Sequence, residues 1–139
     1  MTANTVFSIV NPVAMIMWLL MILTPNWKVT RFLMDRKIIP VLLSCVYAIY
    51  IIISMRSGGL DFSTLESVME LFTKENAVLA GWVHYLAFDL LVGMWILDQN
   101  RKLEIHHLII VPCLIGTFML GPIGFLLFII IRRLFNKQS

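Results

Sequence analysis

The stretch "GWVHYLAFDLLVGMWILD", residues 81–98, decides the fold class, because it is apolar enough to lie inside a membrane and yet carries His84 and Asp89. A helix needs about 20 residues to cross the hydrocarbon core of a bilayer. A charged aspartate at the bilayer centre costs roughly 2.5–3.5 kcal/mol on insertion scales, and intramembrane acids are therefore functional by default. The stretch thus predicts a transmembrane helix with a candidate functional carboxyl group.

The composition of the whole chain supports a membrane protein. Its 139 residues are 60% hydrophobic and 14% charged, which excludes an ordinary soluble domain and indicates one domain over residues 1–139. The net charge of +3 comes from loops and the C-terminal segment, so membrane lipids, and no nucleic acid, are the expected partners. Cys45 and Cys113 lie in apolar stretches and are interpreted as small buried hydrophobes.

Four apolar stretches predict transmembrane helices at about 6–23, 38–55, 79–97 and 108–131. The first has no preceding Lys or Arg and no small-residue cleavage site after it, so we expect a retained anchor. The predicted fold is all-α, a four-helix transmembrane bundle with a short interfacial amphipathic helix between helices 2 and 3. That short helix is predicted over 63–74, because Ser63 and Glu66 fit a capping box and apolar residues recur at helical spacing.

The orientation follows from the Lys and Arg residues between the predicted spans. The loops 24–37 and 98–107 hold six of them, and the remaining segments hold five. The bias around the first helix favours an outside N-terminus, while "RRLFNK" at the C-terminus argues the other way. With four spans, both termini are expected outside the cytoplasm.

The third predicted helix places its polar residues on two stripes. Tyr85 and Asp89 are neighbours at i and i+4, whereas His84 and Asp89 point about 140° apart at 100° per residue. Asp89 is expected to face the bundle and to be mostly protonated near neutral pH, because apolar surroundings disfavour its charge. The alternative is a structural aspartate that hydrogen-bonds neighbouring helices.

The fourth predicted helix offers a partner for that face. Cys113, Thr117, Gly121 and Gly124 form a stripe of small residues that lets another helix approach closely, with Gly93 as its expected contact on the third helix. In an antiparallel pair, Thr117 and Gly121 lie at about the depth of Asp89, and the Thr117 hydroxyl is the expected hydrogen-bond partner of Asp89. Pro122 removes a backbone donor, so the helix kinks or opens there, either as a packing kink or beside a ligand.

The remaining polar and aromatic residues are interpreted as structural. His106 and His107 lie with Asp98 at the membrane face opposite His84, so a three-histidine metal site is geometrically poor. An ion held by Asp98 and one of these histidines is less expected than ordinary interfacial polar residues, and no metal is predicted. Two further stripes indicate packing inside the bundle: Asn11, Met15, Trp18 and Ile22 in the first helix, and Leu43, Tyr47 and Tyr50 in the second.

The residues of the last two predicted helices resemble the abscisic-acid-deficient-four-like family of small membrane proteins. The resemblance is carried by "GWVHYLAFDLLVGMWI" and "PCLIGTFMLGPIGFLLFIIIRR", and "NPVAMIMWLLMILTP" (11–25) is similar to the family's first helix. The combination of W-x-H-x-x-x-x-D and G-P-x-G is specific, and residues 26–78 carry no motif. The matching positions are Trp82, His84, Asp89, Gly93, Asp98, Pro112, Cys113, Gly121, Pro122 and Gly124.

The resemblance implies a role in carotenoid chemistry. Plant members are required to make neoxanthin from violaxanthin and are thought to reside in the chloroplast envelope. No transit-peptide pattern precedes the first helix here, so the expected location is a bacterial cytoplasmic membrane, with a carotenoid or other isoprenoid lipid as partner. The substrate itself does not carry over, because many bacteria make no violaxanthin.

The chemistry that the family suggests is an intramolecular isomerisation, which needs an acid at an epoxide oxygen and a base for a neighbouring proton, and no cofactor. We assign Asp89 as the acid and His84 as the base, with Tyr85 in reserve. The separation of about 140° between Asp89 and His84 is the strongest argument against this assignment. Trp82, Thr117, Gly121 and Pro122 are the expected substrate-binding residues.

Two other functions remain open. The first is a non-catalytic membrane protein that binds an isoprenoid or assists a partner enzyme, in which Asp89 and His84 hold helices together or hold a hydroxyl end-group. The second is a proton-coupled transporter, which is a weaker interpretation because four short helices with one central acid make a small pathway unless the chain forms a homo-oligomer.

Overall fold

The structure is a computed structural model that describes residues 2–136. Within this range the chain forms helices and no strand, so the predicted all-α class is confirmed. The elements in chain order are α1 Ala3–Leu23, α2 Lys28–Asp35, α3 Ile38–Arg56, α4 Leu65–Leu71, α5 Glu75–Leu103, α6 His107–Leu120 and α7 Pro122–Asn136.

Three helices, α1, α3 and α5, are long and apolar enough to cross a membrane, and they correspond to the first three predicted spans. They differ in how much protein covers them. Within an apolar stretch of 18 residues in each helix, only 17% of α3 is buried, compared with 56% of α5. The helix that carries the candidate residues is therefore the most enclosed of the three, whereas little of α3 is buried. Cys45 on α3 is exposed, so its predicted burial was wrong, and Cys113 is buried as predicted.

The chain divides into two compact units. The first unit comprises Met1–Met15 and Ile38–Ala87, and the second comprises Ile16–Lys37 and Phe88–Ser139. The long helices α1 and α5 each pass from the first unit into the second. The first unit thus contains α3 and α4, and the second contains α2, α6 and α7.

The predicted fourth span over 108–131 is not one helix but two. Gly121 ends α6 with φ 52° and ψ −100°, a backbone conformation that non-glycine residues rarely adopt, and Pro122 begins α7. Proline is well suited to the first turn of a helix, where its missing N–H would have no intrahelical acceptor. The predicted kink at Pro122 is therefore a helix end followed by a new helix start.

The helices α6 and α7 pack against each other through their smallest residues. A Cβ atom on Gly124 would overlap the backbone nitrogen and hydroxyl of Thr117 and lie 2.5 Å from the carbonyl oxygen of Cys113. In one continuous helix, residues 113 and 124 would be about 16 Å apart along the axis. The chain therefore reverses at Gly121, and Cys113, Thr117 and Gly124 of the stripe of small residues pack α6 against α7.

Gly93 also has a different neighbour from the predicted one. A Cβ atom on Gly93 would lie 2.7 Å from the Trp18 ring and 2.9 Å from the methyl group of Met21, so this glycine makes room for α1. Trp18 and Met21 are almost completely buried in the second unit. The nearest neighbours of Gly93 therefore lie on α1, whereas the expected neighbours were on the C-terminal helices.

The two short helices, α2 and α4, differ from the sequence prediction. The hydroxyl of Thr64 caps α4 by accepting the N–H of Ser67, one residue later than the predicted pair of Ser63 and Glu66. Ser63 instead donates both its N–H and its hydroxyl proton to the carboxylate of Asp61. The other short helix, α2, lies in a segment that was predicted only as a loop.

Candidate functional site

The predicted site residues belong to both units. Asp89, Thr117, Gly121 and Pro122 lie in the second unit, whereas Trp82, His84 and Tyr85 lie in the first. Three of them, His84, Tyr85 and Asp89, are carried by α5, which is continuous from Glu75 to Leu103. Each set has its own surroundings.

In the second unit, the carboxyl group of Asp89 lies beside the reversal between α6 and α7. Its Oδ1 atom is 3.2 Å from the position that a Cβ atom on Gly121 would occupy, and its Oδ2 atom is out of contact with solvent. Any side chain at position 121 would press on this carboxyl group. Glycine at 121 is therefore required twice, by its positive φ and by the carboxyl group beside it.

The backbone around Gly121 is held by its own hydrogen bonds. The Gly121 N–H donates to the carbonyl of Thr117 over 2.9 Å, and the Gly121 carbonyl accepts from the N–H of Gly124 over 3.1 Å. The reversal therefore satisfies its backbone groups locally, as an apolar environment demands. This makes the turn a fixed support for the neighbouring carboxyl group.

Thr117 was predicted as the hydrogen-bond partner of Asp89, and its side chain is completely buried. Its hydroxyl proton goes to the carbonyl oxygen of Cys113 over 2.8 Å, within α6. This i to i−4 bond is the usual local alternative for threonine in a helix. The hydroxyl proton of Thr117 therefore forms a hydrogen bond within α6, at the position where Gly124 packs against this helix.

In the first unit, Trp82 joins α5 to α1. Its indole N–H donates to the side-chain oxygen of Asn11 over 2.7 Å. The indole ring also stacks on Tyr85, with ring centroids 5.5 Å apart, and lies 5.8 Å from the ring of Phe7. Trp82 therefore acts as a polar and aromatic link between two helices, which agrees with a structural role as well as with a wall of a binding site.

His84 lies at an aromatic cavity of about 320 Å³ in the first unit. Its imidazole makes an edge contact with Tyr47 of α3, with ring centroids 5.5 Å apart. The rest of the wall is mainly apolar, with Ile51, Phe62, Leu71 and Phe72 among its residues. A mainly apolar cavity with a few polar groups is the usual form of a small-molecule site.

The polar residues at the end of α5 are engaged in structural contacts. Asp98 lies 3.8 Å from Lys37 and 3.5 Å from Arg101, and the Nε2 atom of His107 lies 2.7 Å from the carbonyl oxygen of Ile22. The ring of His106 caps α6 by accepting the N–H of Leu108. Among residues 2–136, no cluster of three or more His, Cys, Asp or Glu side chains is placed to hold a metal ion.

Two residues gain importance from the structure. Asn11 accepts a hydrogen bond from the indole N–H of Trp82, and the ring of Tyr47 contacts that of His84. From the sequence, Asn11 and Tyr47 were interpreted only as packing residues. Their signal in the sequence is a polar atom on an otherwise apolar stripe. Such an atom needs a partner when it is removed from water, and that partner is a neighbouring helix or a ligand.

Comparisons with known proteins point to a family. Residues 5–128 match the family described as ABA DEFICIENT 4-like. A curated relative from Arabidopsis thaliana, "Protein ABA DEFICIENT 4, chloroplastic", is 20% identical over 146 aligned positions, which cover 98% of this chain and 64% of that protein. The chain thus spans less than two thirds of the length of this relative. No solved structure matches the chain.

Proposed function

Because the chain belongs to the ABA DEFICIENT 4-like family, we propose that it is a multi-pass membrane protein of carotenoid or related isoprenoid metabolism. The three long apolar helices support a membrane location, and a bacterial cytoplasmic membrane is the proposed one. The helix α4 is proposed to lie at the interface, because its region exposes Phe62, Leu65, Met69 and Phe72.

The proposed activity is a cofactor-independent isomerisation of the oxygenated end of an elongated isoprenoid. In the reaction a base removes a proton from carbon, the C–H electron pair forms a new carbon–carbon π bond, and the adjacent epoxide C–O bond breaks. An acid protonates the released oxygen, so atoms and electrons balance within one molecule. We assign the acid to Asp89 and the base to His84, with Tyr85 in reserve as a catalytic group.

The observation that carries this proposal is the placement of Asp89. A carboxyl group lies in the middle of an apolar helix, beside a backbone reversal where only glycine leaves room for it. A carboxylic acid kept neutral by an apolar site can donate a proton at neutral pH. The aromatic cavity at His84 supports the choice of an apolar ligand with few polar atoms.

The second candidate function is binding without catalysis, and the contacts of Trp82 favour it. The Trp82–Asn11 hydrogen bond and the aromatic stacking around it would hold helices whether or not chemistry occurs. In that case the cavity at His84 holds an isoprenoid end-group, and Asp89 only joins helices.

The test is expression in a bacterium that accumulates violaxanthin, followed by analysis of free and co-purifying pigment. For an isomerase, we expect a new pigment with the parent chain, and a loss of turnover by a factor of about 10²–10⁴ with Asp89→Asn or His84→Gln. Asp98→Asn is the matched control, because it makes the same change on the same helix at a residue engaged in surface ion pairs.

The outcomes separate the two functions. Bound but unconverted pigment with the parent chain supports the binding protein. If Asp89→Asn converts pigment as well as the parent, the carboxyl group is structural and the assignment of the acid is wrong. Unchanged pigment with no co-purifying carotenoid contradicts both functions for this substrate class.

A further inference from the structure

Neither of the two helices after α5 is long enough to cross a bilayer by itself. At 1.5 Å per residue, the 14 residues of α6 and the 15 residues of α7 each extend about 21–23 Å, compared with a hydrocarbon core of about 30 Å. Their sharp reversal at Gly121 and the close approach of Gly124 to Cys113 and Thr117 place them side by side.

The contacts of α7 show in which direction it returns. The ring of Trp95 lies 5.6 Å from the ring of Phe125 and 5.5 Å from that of Phe128, and the guanidinium of Arg132 lies over both Trp95 and Phe128. Trp95 is one turn before Asp98, near the end of α5. Along α7 the chain therefore runs from the level of Asp89 back towards the α5–α6 connection.

The α1–α2 connection lies at this same end of the second unit. The Arg101 guanidinium is 3.6 Å from the carboxylate of Asp35, the Lys37 ammonium is 3.8 Å from that of Asp98, and the His107 ring contacts the last turn of α1. From these contacts we infer that α6 and α7 form a re-entrant hairpin, which enters and leaves the membrane at one face together with α2, and that this face contacts the anionic headgroups of the cytoplasmic leaflet.

The distribution of Lys and Arg residues supports anionic lipid headgroups as the partner of this face. With a re-entrant hairpin, eight of the ten Lys and Arg residues between 2 and 136 lie at the hairpin face, against three acidic residues. Residues 56–75, from the last residue of α3 to the first of α5, hold the other two cations, with four acidic residues. The eight cations are Lys28, Arg31, Arg36, Lys37, Arg101, Lys102, Arg132 and Arg133.

This bias favours a different orientation from the one expected with four spans. Loops rich in Lys and Arg stay in the cytoplasm, and the cytoplasmic leaflet attracts basic segments with about 1 kcal/mol per residue. The start of α1 then lies outside and the end of α7 lies inside. With four spans, Arg132 and Arg133 would lie on the side opposite the loops 24–37 and 98–107, which gives the six-to-five distribution.

The helix α2 is the element best suited to contact these headgroups. It exposes Val29 and Phe32, Trp27 before it is also exposed, and Lys28 and Arg31 flank these apolar side chains. Thr30 and Met34 on its other side are completely buried, which anchors it to the second unit. A basic amphipathic helix of this kind lies in the interface and prefers anionic lipid.

Labelling with a membrane-impermeant maleimide tests the hairpin, using single cysteines in a chain with Cys45→Ser and Cys113→Ala. In intact spheroplasts we expect labelling of Glu66→Cys on α4, and labelling of Glu104→Cys and Asn136→Cys only after permeabilisation. If Glu104→Cys and Asn136→Cys label from opposite sides, the hairpin is refuted. If both label from outside, the cytoplasmic orientation is refuted.

Lipid quenching tests the partner with the same single-cysteine background. A fluorophore on Phe32→Cys of α2 is compared with one on Met69→Cys of α4, since both side chains are exposed on short helices. In proteoliposomes, brominated phosphatidylglycerol should quench the α2 label at least twofold more than brominated phosphatidylcholine, and the α4 label equally. Equal quenching of the α2 label by both lipids contradicts the anionic contact. Neither test depends on pigment conversion, so their failure is distinct from failure of the proposed function.

Discussion

The two units hold their polar groups in different ways. The second unit uses backbone contact at glycine, where Gly124 touches the backbone of α6 and Gly121 leaves room for Asp89. The first unit uses side chains, such as the Trp82–Asn11 hydrogen bond, and keeps an aromatic cavity beside His84. The comparison is thus between a carboxyl group beside a tight backbone turn in one unit and a histidine beside an aromatic cavity in the other.

The largest stability difference between the units should appear when one methyl group is added to a glycine in each. Gly124→Ala places a Cβ atom onto backbone atoms of α6, which cannot move separately, so we expect a loss of about 3 kcal/mol or more. Gly81→Ala meets only the edge of the Phe72 ring at 3.0 Å, which can shift, so we expect a loss below about 1 kcal/mol. Thermal unfolding in detergent measures both, and equal losses would remove the contrast between backbone and side-chain packing.

A smaller effect is expected for the polar link of the first unit. In a double-mutant cycle with Trp82→Phe and Asn11→Leu, the coupling free energy should be about 1 kcal/mol, the usual range for a hydrogen bond between membrane helices. The same unfolding assay gives the coupling. Additive losses would mean that the hydrogen bond contributes nothing beyond the two separate packing changes.

The smallest effect is expected in the exposed segment before α4. Hydrogen bonds from the side chain and backbone of Ser63, and then from Ser67, lower the pKa of Asp61 below its ordinary value of 3.8. A carboxyl group whose folded-state pKa is lowered stabilises the fold above its unfolded-state pKa, and this contribution is lost as the pH falls through the folded-state value. Carbon-detected NMR titration should show Asp61 ionising below pH 3.8, and Ser63→Ala should raise its pKa. An unchanged titration in Ser63→Ala would contradict the assigned cause.

The long helices could be predicted from the sequence because their signal is length and hydrophobicity. The ranges 6–23, 38–55 and 79–97 fall within α1, α3 and α5. The hairpin could not, because an apolar run with Gly121 and Pro122 in its middle has the same hydropathy whether it kinks or reverses. The deciding quantity is the positive φ of Gly121, which permits the reversal but which composition does not encode.

The same reasoning applies to the site. The sequence identified Asp89 because a carboxyl group in an apolar helix is costly, and it identified Gly121 as a close neighbour. The sequence did not identify Tyr47 and Asn11 as site residues. A single polar side chain on an apolar helix face cannot be distinguished from a packing residue until the neighbouring helix is known. The stripe of small residues predicted a close helix contact but not the identity of the partner.

The central claim, isomerisation without a cofactor, is tested most directly with purified protein and a xanthophyll whose epoxide oxygen carries ¹⁸O. We predict a product of the same mass as the labelled substrate, with ¹⁸O retained in the new hydroxyl group and no added cofactor. Asp89→Asn should bind the pigment and form this product at least about 100-fold more slowly. A product that gains the mass of water, a product that loses hydrogen, or no product from a protein that binds the pigment would contradict the proposed isomerase.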